Sequence, residues 1–274
     1  MSGDSTLKAK PWQPFTFGGV AAFARVSLAR LLGVELIAAL LAAGSLVWFL
    51  HSAWEPPLRQ AISQLPENGS LENGRLDWPA ESPKRLAEGS FLSVIVDLAH
   101  SGEMGFVADL QVELGERDFR LRSILGYLTL RYPTDWRVPM NRLELDPWWG
   151  AWRSVVFLGL TIIVMIGLLI GWAVLATLYF WPVRAIAFYA DRQLTWAGAW
   201  RLASAAMLPG ALLMSAAIVA YSFQRLNLIQ LLFAAAMHLA FGWGYLLMSP
   251  LWLPRVISGP TNRTSKNPFG SPKN

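Results

Sequence analysis

Residues 154–181 read SVVFLGLTIIVMIGLLIGWAVLATLYFW, 28 positions without one charged side chain. About 20 apolar residues are enough for a helix to cross a hydrocarbon core of ~30 Å. In lipid a helix is one of the few structures that satisfies every backbone polar group within itself. Three further apolar runs share this character, at roughly 31–50, 202–223 and 229–253.

Charge sorts around these runs. Residues 52–149 hold 10 Lys and Arg against 15 Asp and Glu, a net of −5, while the rest of the chain carries a net of +10. Basic flanks stay on the cytoplasmic side of a membrane. The expected architecture is therefore an α-helical integral membrane protein with four transmembrane helices. A small α+β domain with an antiparallel sheet, extracytoplasmic, is inserted between helices 1 and 2. The expected divisions are a cytoplasmic start at 1–30, helix 1 at 31–51, the extracytoplasmic domain at 52–149, helices 2–4 at 150–254, and a disordered cytoplasmic tail at 255–274. A cleaved signal peptide has an apolar core of ~7–15 residues. The first run is longer and continues into Trp48, Phe49, His51 and Trp54, so it reads as an uncleaved span. Trp and Tyr favour the two interfaces, and Trp48, Trp54, Trp148, Trp149, Trp152 and Tyr221 fall at one set of ends, with Tyr179, Trp181, Trp200 and Trp252 at the other.

Composition narrows the function classes. Hydrophobic residues make up 54% and charged residues 15%, against ~25% charged in a typical soluble domain. The net charge of +5 belongs to the membrane flanks, so no nucleic-acid partner is expected. The chain has no cysteine, which excludes disulfides, thiolate metal sites and a thiol nucleophile.

Within 52–149, Glu55-Pro56-Pro57 followed by Leu58, Ile62 and Leu65 reads as a short helix with proline in its first turn. Asn68-Gly69 and Asn73-Gly74 are turn signals. Phe91–Leu98, Phe106–Leu114, Phe119–Ile124 and Tyr127–Tyr132 carry near-alternating apolar residues and read as strands, with Gly115-Glu116-Arg117-Asp118 as a hairpin connection. Beyond the domain, a helix starting near Val20 carries Arg25 and Arg30 into the first run, 182–201 reads as a short basic loop, Pro209-Gly210 as a kink, and Gln224–Asn227 as a tight turn between helices 3 and 4.

Candidate functional residues are few. Glu35 lies a turn into the first run, and His238 near the middle of the fourth. An ionisable group inside a membrane is a functional hypothesis by default. The plainer readings are an interfacial Glu paired with Arg30, Arg201 or a headgroup, and a neutral His bonded to a neighbouring helix through Ser204, Ser215 or Gln230. Gly167 and Gly171 form a GxxxG pair, and Ala206 with Gly210, and Ala234, His238 and Gly242, extend small-residue faces that suit helix packing. In the domain, Asp97, His100 and Ser101 are the residue types of a hydrolase triad, but they are nearly consecutive and no nucleophile elbow is present. Glu113, Glu116 and Asp118 do not match a calcium loop and read as a solvated hairpin. Three histidines without ligand spacing give no metal site, and no phosphate-cradling glycine loop occurs. No catalytic residue and no cofactor is expected.

The run Gln64-Leu65-Pro66-Glu67, then Leu71-Glu72-Asn73-Gly74-Arg75-Leu76, Pro83 and Val94-Ile95-Val96-Asp97-Leu98 resembles the bacterial membrane proteins grouped as domain-of-unknown-function family 1189. The start Phe15-Thr16-Phe17-Gly18-Gly19 is similar to their amphipathic entry. The resemblance implies a bacterial cytoplasmic (inner) membrane, a basic cytoplasmic start, one span, an exported domain and a cluster of spans; it implies no reaction and no catalytic residues. The expected function is a non-enzymatic multi-pass membrane protein. Its extracytoplasmic domain binds or senses an envelope component, or the chain serves as a subunit of a membrane assembly. The alternative is a small transporter or channel component using Glu35 and His238. The expected partners are the lipid bilayer and a membrane-protein partner or a second copy of the chain.

Overall fold

The structure is a computed structural model and describes residues 12–256. The first residues of the polar start and nearly all of the polar tail lie outside the described residues. Four helical stretches are long and apolar enough to cross a membrane: Leu28–Ser63, Arg142–Tyr189, Trp196–Ser222 and Leu228–Trp252.

In chain order the elements are α1 (Phe17–Ala22), α2 (Leu28–Phe49) and α3 (Glu55–Ser63). Eight strands follow: β1 (Ser70–Glu72), β2 (Arg75–Asp77), β3 (Lys84–Ala87), β4 (Leu92–Val96), β5 (Leu110–Leu114), β6 (Asp118–Ser123), β7 (Gly126–Arg131) and β8 (Arg137–Pro139). The remaining helices are α4 (Arg142–Tyr189), α5 (Trp196–Ala205), α6 (Leu208–Ser222) and α7 (Leu228–Met248). They fall into two compact units.

One unit comprises the described parts of Met1–Leu31, Trp172–Met207 and Gly242–Asn274. Thr16 caps α1 by accepting a hydrogen bond from the Gly19 amide. The helix expected to run from Val20 through Arg30 is instead interrupted. A 3-10 turn at Phe23–Arg25 leads into Val26 in an extended conformation. A break frees backbone groups, and the Arg201 guanidinium takes one of them by donating to the Val26 carbonyl at 2.8 Å. The basic loop expected at 182–201 is also shorter. Helix α4 continues to Tyr189, and Thr195 caps α5 by accepting from the Gly198 amide at 3.0 Å.

The other unit comprises Leu32–Gly171 and Leu208–Phe241. Here α2 passes through a π-helical turn at Leu50–Trp54 into α3, with proline in its first turn as expected. Asn73 and Gly74 both have positive φ, 51° and 71°, the geometry of a type I′ hairpin turn, and they join β1 to β2. Strand β8 pairs on the other side of β1. The larger sheet runs β3-β4-β5-β6-β7. It is not wholly antiparallel: β4 and β5 run parallel. Two parallel strands need a crossover, and residues 97–109 supply it. That is why Phe106 and Val107, expected at the start of a strand, lie in a loop. One face of the sheet buries Leu92, Val94 and Val96 in a core with Leu71, Leu76, Trp78, Leu86 and Tyr132.

The kink expected at Pro209-Gly210 is a break just before it, with α6 starting at Leu208. Proline is tolerated in a first helical turn, where amides lack intrahelical partners. Asn227 and Gln230 then cap α7 reciprocally, each side chain accepting from the other's amide at 2.9 Å.

Leu86 is fully buried in the domain core. Leu86→Ala is expected to destabilise the protein by about 2–5 kcal/mol. The exposed Leu130→Ala should stay within about 0.5 kcal/mol of the parent. Unfolding of the purified chain in detergent checks both.

Candidate functional site

The second face of the larger sheet is polar. Strand pairing aligns Arg85, Ile95, Glu113 and Arg120 in one row and Ser93, Gln111 and Arg122 in the next. Ser93, Gln111 and Glu113 have no solvent exposure. Loop 97–109 covers this face. Its Gly105 carbonyl accepts from Arg85 at 3.2 Å, and its His100 lies on Glu113.

Glu113 is the centre of the arrangement. His100 Nδ1 contacts its Oε1, Arg122 stands 3.1 Å from its Oε2, and Arg120 stands 3.9 Å from Oε1. The other imidazole nitrogen lies 2.7 Å from Asp118 Oδ1. Carboxylates only accept, so both ring contacts are hydrogen bonds when both nitrogens carry a proton. A buried carboxylate is expensive unless paired, and here two guanidinium groups and an imidazole surround it. Gly115 permits the fit, because a Cβ there would collide with the His100 ring. His100 itself has φ of 52°, a conformation that costs a non-glycine residue about 1–3 kcal/mol.

Asp97 and His100, the two candidates in the domain, are not partnered by side chain. Asp97 accepts from the Ser101 hydroxyl at 3.0 Å and the Gly102 amide at 3.1 Å. Burial pushes its carboxyl up, but the hydrogen bonds from Ser101 and Gly102 and the nearby His100 outweigh this and hold it below the usual range. The Ser101 hydroxyl thus serves Asp97 and is not aligned on His100, so no nucleophile–base pair forms. The solvated hairpin expected for Glu113, Glu116 and Asp118 is corrected at its first member: Glu113 is wholly buried. Its burial follows from hairpin register, since folding about Glu116-Arg117 sets Glu113 against Arg120 and Gln111 against Arg122. Among the described residues no group of three His, Asp or Glu could hold a metal ion. The two nitrogens of His100 face opposite carboxylates rather than a common point.

The far end of loop 97–109 reaches the helices. The Tyr221 hydroxyl on α6 donates to Asp109 Oδ2 at 2.5 Å, and Gln224 donates to Ser90 at 3.3 Å. Phe49 at the end of α2, Phe91 and Tyr221 pack ring against ring at 4.8–5.4 Å. A second junction centres on Glu55, which is buried beside the π-helical turn and meets Arg59 at 2.7 Å, Arg153 of α4 at 3.0 Å, and His51. Neither junction was foreseen. The i,i+4 spacing of His51, Glu55 and Arg59 was a signal for the second.

The two candidates in the apolar helices lie on α2 and α7. Glu35 is buried on α2. His238 contacts the carbonyl of Ala235 in its own helix, the same local bonding that Ser215 makes to Ala211. Among the described residues nothing lies within 4 Å of a Cβ added at Gly167 or Gly171, so this pair packs against none of the described helices. Ala206 and Gly210 are buried, and a Cβ added at Gly242 would lie 3.5 Å from the end of the Met207 side chain. Comparison with protein-family models, curated proteins and solved structures finds no match to this chain.

Two outcomes are expected. Gly115→Ala should destabilise the domain as His100→Ala does, and Glu113→Ala by about 1–3 kcal/mol, since charged partners are left unmatched; thermal unfolding compares the three. Asp97 is depressed in the folded state, so its contribution is present above the unfolded carboxylate value of ~3.9 and lost as pH falls through the folded value. Burial raises the Tyr132 phenol, so its contribution is whole below pH ~10 and lost above. The stability gap between parent and Asp97→Asn should close below pH ~4, and Tyr132→Phe should blunt alkaline unfolding.

Proposed function

We propose that this chain is a four-span membrane protein whose extracytoplasmic domain binds or senses an envelope component and passes the state of that domain to its helices. One observation carries the reading. Loop 97–109 is held at one end by the buried His100–Glu113 contact and bonded at the other, through Asp109, to Tyr221 on α6. A ligand that shifts the loop has a direct route to an apolar helix. A two-state element that both sites bias is what coupling needs, and a loop seated on a polar sheet face by a few charged contacts is such an element.

The charge layout supports placing residues 52–149 outside and both termini in the cytoplasm of a bacterial inner membrane. The family resemblance of the exported segment agrees. An assembly subunit remains within this reading, with the partner as the sensed component. Transport through Glu35 and His238 has less support, since His238 spends its contact on its own helix.

Because the chain has no cysteine, single replacements report cleanly. Thr134→Cys should react with a membrane-impermeant maleimide on intact cells, and Gln193→Cys only after permeabilisation. The reverse pattern would invert the topology. In cells lacking the protein, Tyr221→Phe and His100→Ala are expected to fail to restore its phenotype at normal abundance, while Glu35→Gln and His238→Ala restore it. Failure of the latter pair alone would favour transport.

A further inference from the structure

Among the described residues, two hairpins have just two residues between their strands, and they differ in chemistry. Asn73-Gly74 has the polar, positive-φ composition expected in water. Ile124-Leu125, between Ser123 and Gly126 of the paired strands β6 and β7, is apolar. Leu125 is 73% exposed and Ile124 51%.

Strand register locates each tip. The Asn73-Gly74 hairpin lies by the β5–β6 turn: Leu76 donates to the Glu116 carbonyl at 2.7 Å, and Arg75 pairs with Glu116. That is the C-terminal end of β5. The Ile124-Leu125 tip is at the opposite end, because Ser123 pairs with Leu110, the first residue of β5. Asp109, one residue earlier, bonds Tyr221 at the end of α6, and Phe91, just before β4, packs on Phe49 at the end of α2. With strands ~4.8 Å apart, the tip stands about 10 Å to the side of the helix ends. Phe106 and Val107, 46% and 41% exposed, lead into Asp109 at this same end.

We infer that this rim, Ile124-Leu125 with Phe106-Val107, is an anchor that enters the interfacial layer of the lipid bilayer beside the helix ends. The inference rests on the reading that the apolar helices cross a membrane. Apolar side chains at a loop tip are a liability in water and an asset at an acyl boundary. Asp109 and Phe91 tie this end of the sheet to Tyr221 and Phe49, at the ends of α6 and α2. The hairpin facing away from those ends carries none of this composition.

The test uses the full chain in nanodiscs of phosphatidylethanolamine and phosphatidylglycerol. An environment-sensitive fluorophore is attached through Leu125→Cys, Thr134→Cys or Ile163→Cys, and quenching by nitroxide lipids is compared with quenching by iodide. Position 134 lies by the Asn73-Gly74 hairpin, since Gly74 abuts Thr134, and position 163 is exposed within α4. The expected result is strong quenching at 125 by a nitroxide near the headgroup, at 163 by one deep in the chain, and at 134 by iodide alone. Quenching at 163 with only iodide quenching at 125 would overturn the anchor and leave the membrane reading standing. Iodide quenching at all three would overturn both. As an independent readout, Ile124→Ser with Leu125→Ser should raise hydrogen exchange at 104–109 in nanodiscs but not in detergent. Equal exchange in parent and variant would count against the anchor.

Discussion

A single carboxylate without solvent organises the sheet domain. Glu113 sits in the middle of a five-stranded sheet, and a charge there is tolerated only if partners surround it. Three partners arrive from two elements: Arg120 and Arg122 from the next strand, and His100 from the crossover loop. Meeting that demand fixes the β5–β6 register, requires glycine at position 115, and holds loop 97–109 down on a face that would otherwise be wet. Such networks specify one arrangement more than they add stability. The opposite face supplies the stability through Leu92, Val94 and Val96.

The same economy of polar contacts marks the places where this domain meets the helices. Tyr221 presents an apolar ring to Phe49 and Phe91 and a hydroxyl to Asp109. Glu55, beside a π-helical turn, draws Arg153 of α4 towards the α2–α3 helix. Turns of this kind often mark functional positions, since they disturb the regular backbone ladder. The Tyr221 junction sits at the end of α6, where backbone groups already lack intrahelical partners.

Much of the architecture was legible in the sequence because it depends on composition over long windows. Four long apolar runs, the Asn73-Gly74 turn and the proline-led helix at Glu55 each rest on local physics that context does not overrule. What stayed hidden depends on neighbours distant in the chain. Alternation shows that residues 110–114 form a strand but not that β4 lies parallel to it; only the geometry of 97–109 decides that. Arg25 and Arg30 suggested one continuous helix, yet a partner 175 positions away along the chain, Arg201, satisfies a break at Val26. Among candidate site residues, Asp97 and His100 were found by type; the Asp97 partners, Ser101 and Gly102, are local, but the His100 partners, Glu113 and Asp118, follow from tertiary packing. The hairpin's mirror symmetry about Glu116-Arg117 was a usable clue to Glu113.

The two sheets also differ in when they can be made. In the larger one, spatial order equals chain order, so each strand from β3 to β7 finds its neighbour as soon as it is synthesised. Local contacts of this kind form early and fast. Strand β1 is the exception: its outer partner is β8, which comes 65 residues later by the pairing of Glu72 with Arg137. The small sheet therefore stays half-built until the last residues before α4 arrive. Its closure is a clasp, and it joins the segment that leaves α3 to the segment that enters α4, so the domain is sealed in the same step that brings its two connections to the helices together.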